Sequence, residues 1–220
     1  MNLSAIKQKQ LIFGAVVVVL GLALWAMSSS PKPPVMPFPG VTILPNPLTL
    51  TDFELTDHKG QAFSNNQLKG QWSLMFFGYT HCPDVCPTTL AMLNKFYKKQ
   101  PTPNEQNIIF VTTDPIRDNV EIMADHINYY NESFVGLTAK DVPTIKKFGE
   151  EVGVIFDYED PKTHNLISDY TTLTPESKYA VEHNASVFIF DPKGRLVADI
   201  LPPHTVERVE KTFNLVKKYY

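Results

Sequence analysis

Cysteine is nearly absent: the 220 residues hold two, Cys82 and Cys86, in one short segment. A secreted domain stapled by several disulfides is thereby excluded. Basic excess is absent too, since 20 lysines and arginines against 23 aspartates and glutamates leave a net charge of -3. Nucleic-acid binding usually leaves a basic footprint, so no nucleic-acid partner is expected. There is no internal repeat and no block of like charge. What is present is an ordinary globular composition, 43% hydrophobic and 20% charged. The length suits one domain with a sizeable core, plus an additional segment.

That segment is N-terminal. Residues 11–27 carry no charge and are almost all apolar, with Lys7 and Lys9 before them. The run sits near the short end of the about 17–25 residues that span a bilayer. The lysines keep residues 1–10 in the cytoplasm and place the rest of the chain outside it. A cleaved signal peptide competes with this reading. Cleavage after Ala26 sets Leu24 where a small residue is preferred, and cleavage after Ser30 sets Pro31 at the scissile bond. Both sites are poor, so an uncleaved transmembrane anchor over residues 11–27 is favoured. No cysteine follows the run to carry a lipid. Residues 28–47 are rich in proline and read as an extended, semi-rigid linker. The folded domain is expected over residues 48–220.

Within it, strand and helix patterns alternate. Thr51–Leu55 alternates like a strand and turns at His58-Lys59-Gly60. Trp72–Tyr79 is a continuous apolar run, the mark of a buried central strand. Thr88–Lys99 has Leu90, Leu93, Phe96 and Tyr97 at helical spacing, and Asn107–Thr113 reads as a second buried strand. Helices are predicted over Val120–Tyr130 and Val142–Val152, and a short strand over Val154–Tyr158. Glu159–Pro175 is polar and turn-rich, a surface excursion. Ser186–Phe190 and Leu196–Ile200 form a hairpin about Asp191-Pro192-Lys193-Gly194, followed by a helix from about Thr205. The order predicts an α/β protein with a thioredoxin-like fold, a central sheet flanked by helices.

The chemistry concentrates in Tyr79-Thr80-His81-Cys82-Pro83-Asp84-Val85-Cys86-Pro87, between a buried strand and a helix. Pro87 suits the first helical turn, where no amide donor is needed, and should push Cys86 out of helical geometry. Both sulfurs would lie near a helix N-terminus, where the dipole favours thiolate. Two adjacent thiolates suit Cu(I), or zinc with further ligands. The three-residue gap between the cysteines is wider than in thioredoxin-type redox enzymes and still permits a disulfide. A purely structural disulfide is the bland reading, but so short a loop restrains little of the chain.

His183 precedes the strand Ser186–Phe190, which chain order allows beside the cysteine-bearing strand. An imidazole with two thiolates makes a three-coordinate set, short of the four ligands of a closed structural zinc site. Taken alone, such a histidine is more often a surface or hydrogen-bonded residue. His81 is read as a bystander or an outer-shell group, and His58, His126, His164 and His204 as solvated side chains. Asp114 is either a helix cap before Pro115 or an outer-shell partner that orients His183 or a sulfur.

These motifs together resemble the SCO/SenC family of copper proteins that serve cytochrome c oxidase assembly. The resemblance covers about Leu50–Tyr220. It rests on the loop Gly78–Pro87, on Thr113-Asp114-Pro115-Ile116-Arg117-Asp118, on Val135-Gly136-Leu137-Thr138, on Tyr179-Ala180-Val181-Glu182-His183 and on Asp191-Pro192-Lys193-Gly194. It implies copper, as Cu(I) or Cu(II), held by Cys82, Cys86 and His183. It also implies delivery to the CuA site of cytochrome c oxidase subunit II, with another periplasmic copper carrier as a further partner. Two departures stand out: Glu182 replaces the more usual Asp, and Asn184-Ala185 replaces a hydroxyl-bearing neighbour. Neither removes a ligand.

Three functions are therefore carried forward. The first is a membrane-anchored copper chaperone. The second is a thiol–disulfide oxidoreductase that reduces the cysteines of the oxidase copper site, with Cys82 and Cys86 as its redox pair, which needs no His183. The third, ranked last, is a thiol peroxidase with Arg117 beside one activated cysteine. The expected location is the inner (cytoplasmic) membrane with the domain on the periplasmic side. The mitochondrial inner membrane is the alternative, set second because no Arg- and Ser-rich transit segment precedes the span.

Overall fold

A computed structural model describes residues 13–23, 38–102 and 105–220. Residues 13–23, taken by themselves, are helical and exposed. The remainder of the expected 11–27 span lies outside the described residues. Among the described residues no helix is long and apolar enough to cross a membrane.

The domain is built on an eight-stranded mixed sheet. Its strands are β1 (Val41–Thr49), β2 (Glu54–Asp57), β3 (Ala62–Ser64), β4 (Trp72–Gly78), β5 (Gln106–Thr112), β6 (Val135–Thr138), β9 (Val187–Phe190) and β10 (Arg195–Ile200), in the order β1-β10-β9-β4-β5-β6-β2-β3. Between β6 and β9 in the chain come β7 (Phe156–Glu159) and β8 (Ala180–His183), which pair with each other in a separate two-stranded ribbon. Four helices complete the domain: α1 (Val85–Lys99), α2 (Val120–Tyr130), α3 (Val142–Val152) and α4 (Val206–Tyr219). β4, β5 and β6 run parallel, and β9 returns antiparallel beside β4.

The burial pattern explains the layers. Successive residues of a strand face opposite sides of the sheet. Leu74 and Phe76 of β4 therefore join Ile108 and Phe110 of β5 under α1, α2 and α4, where Leu90, Leu93, Met123, Ile127, Val209 and Phe213 close the core. Met75 and Phe77 point the other way and meet Ile109, Val111, Ile145, Phe148 and Phe188, with Tyr158 and Val181 of the ribbon on the same side. β4 is apolar on both faces because both faces are covered.

The structure departs from the sequence reading at one end of the sheet. β1 occupies Val41–Thr49, a stretch that proline content marks as linker, and pairs with β10 from Val41↔Ile200 to Thr49↔Arg195. The register shifts between Ile43 and Leu48, around Pro45 and Pro47. Proline lacks the ladder donor and is tolerated on an edge strand or at a bulge, which is where these two stand. The short strands β3, β6 and β8 also escape the pattern, each having only three or four residues.

Candidate metal centre

The cysteine loop leaves the carboxyl end of β4, where open α/β sheets place their sites. Gly78 ends the strand, and an added Cβ there would lie 2.6 Å from Cys86 Sγ and 2.9 Å from Phe110 Cε2. Glycine is thus what lets the buried Cys86 sulfur sit against the strand end. Cys82 turns back on the strand, its N–H donating to Tyr79 O at 3.1 Å. Pro87 lies in the first turn of α1 as expected, but Cys86 is helical, contrary to the sequence reading. The restriction before proline is a bias, and full burial of the Cys86 side chain overrides it.

α1 differs from the other three helices in how it begins. Asn119, Asp141 and Thr205 cap α2, α3 and α4 with side-chain oxygens. Asp84, at the head of α1, makes no side-chain cap. The Cys82 sulfur takes that place, accepting from the Cys86 thiol and from the backbone N–H groups of Asp84, Cys86 and Val85. The thiol hydrogen bond, with these amides, brings Cys82 down to about 6 despite its partial burial. Cys86, the donor in that pair and fully buried, is pushed up. Both cysteines are free thiols. One is therefore a thiolate near neutral pH and the other a thiol, an asymmetry written by position on the helix. The rate of Cys82 alkylation should rise with pH to a plateau about an apparent midpoint of 6, while Cys86 stays inert until the chain unfolds; a stopped-flow pH series with mass mapping checks this.

His183 closes β8, opposite Phe156 on β7. Its Nε2 lies 3.9 Å from Cys86 Sγ, and its Nδ1 lies 3.2 Å from the Asn184 carbonyl. Burial holds its pKa below the usual histidine value, so the ring is neutral and offers a lone pair. The rings of Phe76 and Tyr79 stand edge-on to it, each at 6.4 Å. Burial also pushes the Tyr79 hydroxyl up to about 12, so it stays uncharged.

Of the two sequence readings of Asp114, the helix cap fails. The residue caps no helix, since α2 starts at Val120 behind Asn119. It is fully buried, paired with Arg117 Nε, and accepts from Tyr179 Oη at 2.7 Å. Its connection to the imidazole runs through rings: the Arg117 guanidinium lies 3.8 Å from the Tyr179 ring and 5.7 Å from that of Tyr79, which flanks His183. The carboxylate that does hold the cysteine loop is Asp118. It accepts from Thr80 N at 3.0 Å, Thr80 Oγ1 at 2.5 Å and Thr112 Oγ1 at 2.6 Å. Burial raises its pKa, opposed by these hydrogen bonds. Threonines flanking a buried strand end were the available signal for it.

The remaining five histidines divide. His164 is exposed beside Glu159, and His81 is half-exposed with Thr80 Oγ1 3.0 Å from its Nδ1. His58 is buried and accepts from Gly136 N at 3.2 Å. His126 packs against Phe110 and Tyr130, and His204 bridges Thr89 Oγ1 and Ile200 O. Burial, full for His58 and partial for His126 and His204, separates these three from the exposed pair.

The Cys86 sulfur and a neutral imidazole thus approach each other at one end of the sheet, with Cys82 hydrogen-bonded to Cys86. Among the described residues no group of three or more His, Cys, Asp or Glu side chains is placed to hold a metal ion. The 3.9 Å between Cys86 Sγ and His183 Nε2 nevertheless suits a shared ion. Donors bound at about 2.3 Å (sulfur) and about 2.0 Å (nitrogen) stand roughly 3.5–4 Å apart when the angle between them is open.

The family model for SCO1/SenC matches residues 42–218. A Stutzerimonas stutzeri protein described as copper-binding is 30% identical over 173 residues, 78% of each chain. The mitochondrial SCO2 homologue of Mus musculus is 31% identical over 146 residues, 65% of this chain and 52% of that one. The chain thus spans about half the length of that mitochondrial relative. Among solved structures, Bradyrhizobium japonicum ScoI with copper bound superposes with a TM-score of 0.61 at 30% identity, over 77% of this chain and 98% of that one. With the thioredoxin-like fold, the cysteine loop and the matched model in agreement, this chain belongs to the SCO1/SenC family.

Proposed function

We propose that this protein is a membrane-anchored copper chaperone that binds copper through Cys82, Cys86 and His183 and delivers it to the CuA site of cytochrome c oxidase subunit II. The observation that carries the reading is the approach of His183 Nε2 to Cys86 Sγ beside the free Cys82. Thiolate and imidazole together form a soft donor set. The copper-binding descriptions of the Stutzerimonas and Bradyrhizobium proteins support the same cargo. Three donors leave room for an incoming ligand, so transfer proceeds by exchange: a cysteine or histidine of the partner adds as one ligand of this chain leaves.

Residues 11–27 would tether the domain, residues 28–40 would space it from the bilayer, and the domain would face the periplasm. Lys7 and Lys9 ahead of the apolar run support that orientation. Tethering raises the local concentration of donor and acceptor on one membrane face. Another periplasmic copper carrier is the matching donor. In a mitochondrial setting the same layout would face the intermembrane space.

A second reading, thiol–disulfide oxidoreductase, is favoured by one observation, the thiolate character of Cys82 beside a protonated Cys86. In that case Cys82 attacks and Cys86 resolves. Replacing His183 with alanine separates the two. On the chaperone reading, copper affinity falls by more than about tenfold and oxidase assembly fails, while thiol exchange persists. Unchanged oxidase assembly in the variant would transfer the function to thiol chemistry.

A further inference from the structure

His183 is only as well aimed as the peptide that follows it. Beyond His183 the chain leaves the β7–β8 ribbon and crosses to β9, starting at Val187. At this crossing the Asn184 side chain grips the stretch between α3 and β7 with both ends of its amide. Ile155 N donates to Asn184 Oδ1 at 2.9 Å, and Asn184 Nδ2 donates to Gly153 O at 3.0 Å. The gripped stretch is itself fixed: Gly153 has φ 98° and ends α3, its N–H and that of Val154 both donating to Gly149 O.

The Asn184 backbone carbonyl lies 3.2 Å from His183 Nδ1. A carbonyl oxygen only accepts, so Nδ1 carries the ring proton. In a neutral imidazole the other nitrogen is then the lone pair. That nitrogen, Nε2, is the one 3.9 Å from Cys86 Sγ.

We infer that Asn184 is a positioning residue for the metal centre: its side-chain clamp on Gly153 and Ile155 fixes the carbonyl that selects the Nδ1–H tautomer of His183 and turns Nε2 toward the cysteines. Any residue here supplies a carbonyl; the clamp decides where that carbonyl points. The fit requires an asparagine. Serine has one oxygen and cannot span a donor and an acceptor two residues apart. Aspartate accepts from Ile155 N but sets a carboxylate oxygen against the Gly153 carbonyl. The inference deepens the proposed function, because the selected lone pair matters most if His183 binds copper.

The test uses the metal-free protein first, so that it stands apart from the copper reading. Long-range proton–nitrogen NMR above neutral pH reports which ring nitrogen of His183 bears hydrogen. The wild type should show the Nδ1–H form. Asn184→Ala and Asn184→Asp should show a mixture of both tautomers, with the thermal unfolding midpoint measured in parallel to separate aim from fold. Nε2–H in the wild type, or an unchanged tautomer in both variants while they remain folded, overturns the proposal. Cu(I) competition titration then reads the consequence: a loss of about 10–100-fold in the variants, the range for outer partners of metal-binding histidines. A tautomer shift with no change in copper affinity in the His183→Ala protein would leave Asn184 its positioning role and count against His183 as a ligand.

Discussion

Replacement of Arg117 by alanine should lower the free energy of unfolding by about 3–5 kcal/mol, the cost of leaving one member of a buried ion pair alone. Arg117 is 8% exposed and Asp114 fully buried. The guanidinium meets the carboxylate through Nε and the Tyr179 carbonyl through Nη1 at 3.2 Å, and it lies 3.8 Å from the Tyr179 ring. Without it, Asp114 retains the Tyr179 hydroxyl and the surrounding rings but no counter-charge. A double replacement, Asp114→Leu with Arg117→Met, should cost less than the single one, because an apolar pair leaves no stranded charge. Urea unfolding of both variants reads the difference. A single variant within about 1 kcal/mol of wild type would show that the pair carries no weight. Tyr79 bridges the guanidinium and His183, so the single variant should also bind copper more weakly.

A second large effect is expected from one methyl group. Gly78→Ala places a Cβ 2.6 Å from Cys86 Sγ and 2.9 Å from Phe110 Cε2, both inside normal contact distance. Phe110 is fully buried, wedged between Phe76 at 6.2 Å and His126 at 5.4 Å, so it has no room to retreat. The displacement falls on Cys86 and the first turn of α1. Overpacking of this kind costs about 1–3 kcal/mol. The loss of copper binding should be larger in proportion, since the strand end sets the sulfur's distance from His183. Adding Cys86→Ala to Gly78→Ala should restore much of the stability and none of the binding. Full copper retention by Gly78→Ala would break the link between this glycine and the centre.

The contrast between these residues shows what the sequence displays. Trp72–Gly78 announces a central strand because seven residues with almost no polar side chain can be covered only on both faces. Helices α2 and α3 match their predicted limits because asparagine and aspartate caps mark their starts. Cys82 and Cys86 stand out because they are the sole cysteines. What the sequence conceals is non-local. Asp114 and Asp118 look alike in one motif, yet only Asp118 reaches Thr80 on the cysteine loop. Pro45 and Pro47 suggest a linker until β10 supplies an edge on which they are harmless. Buried His58 and half-buried His126 and His204 read as surface residues because their partners lie 78 residues away, in neighbouring rings, or 115 residues away. The role of Gly78 depends on a sulfur eight positions onward, and on an aromatic ring from the adjacent strand.

The two sulfurs and the imidazole rest on different hydrogen-bond ladders. Cys82 and Cys86 follow β4, in the middle of the eight-stranded sheet, while His183 ends a two-stranded ribbon that shares no ladder with that sheet among the described residues. Elements with separate ladders open with separate free energies, and a two-stranded ribbon is the cheaper to open. Fluctuation of the ribbon would withdraw the imidazole while the sulfur pair kept its place. Release of the cargo would then be a two-stage event whose first stage breaks no ladder of the sheet, and its rate would follow the stability of β7 and β8 and of the packing of Tyr158 and Val181 on the sheet rather than that of the whole domain.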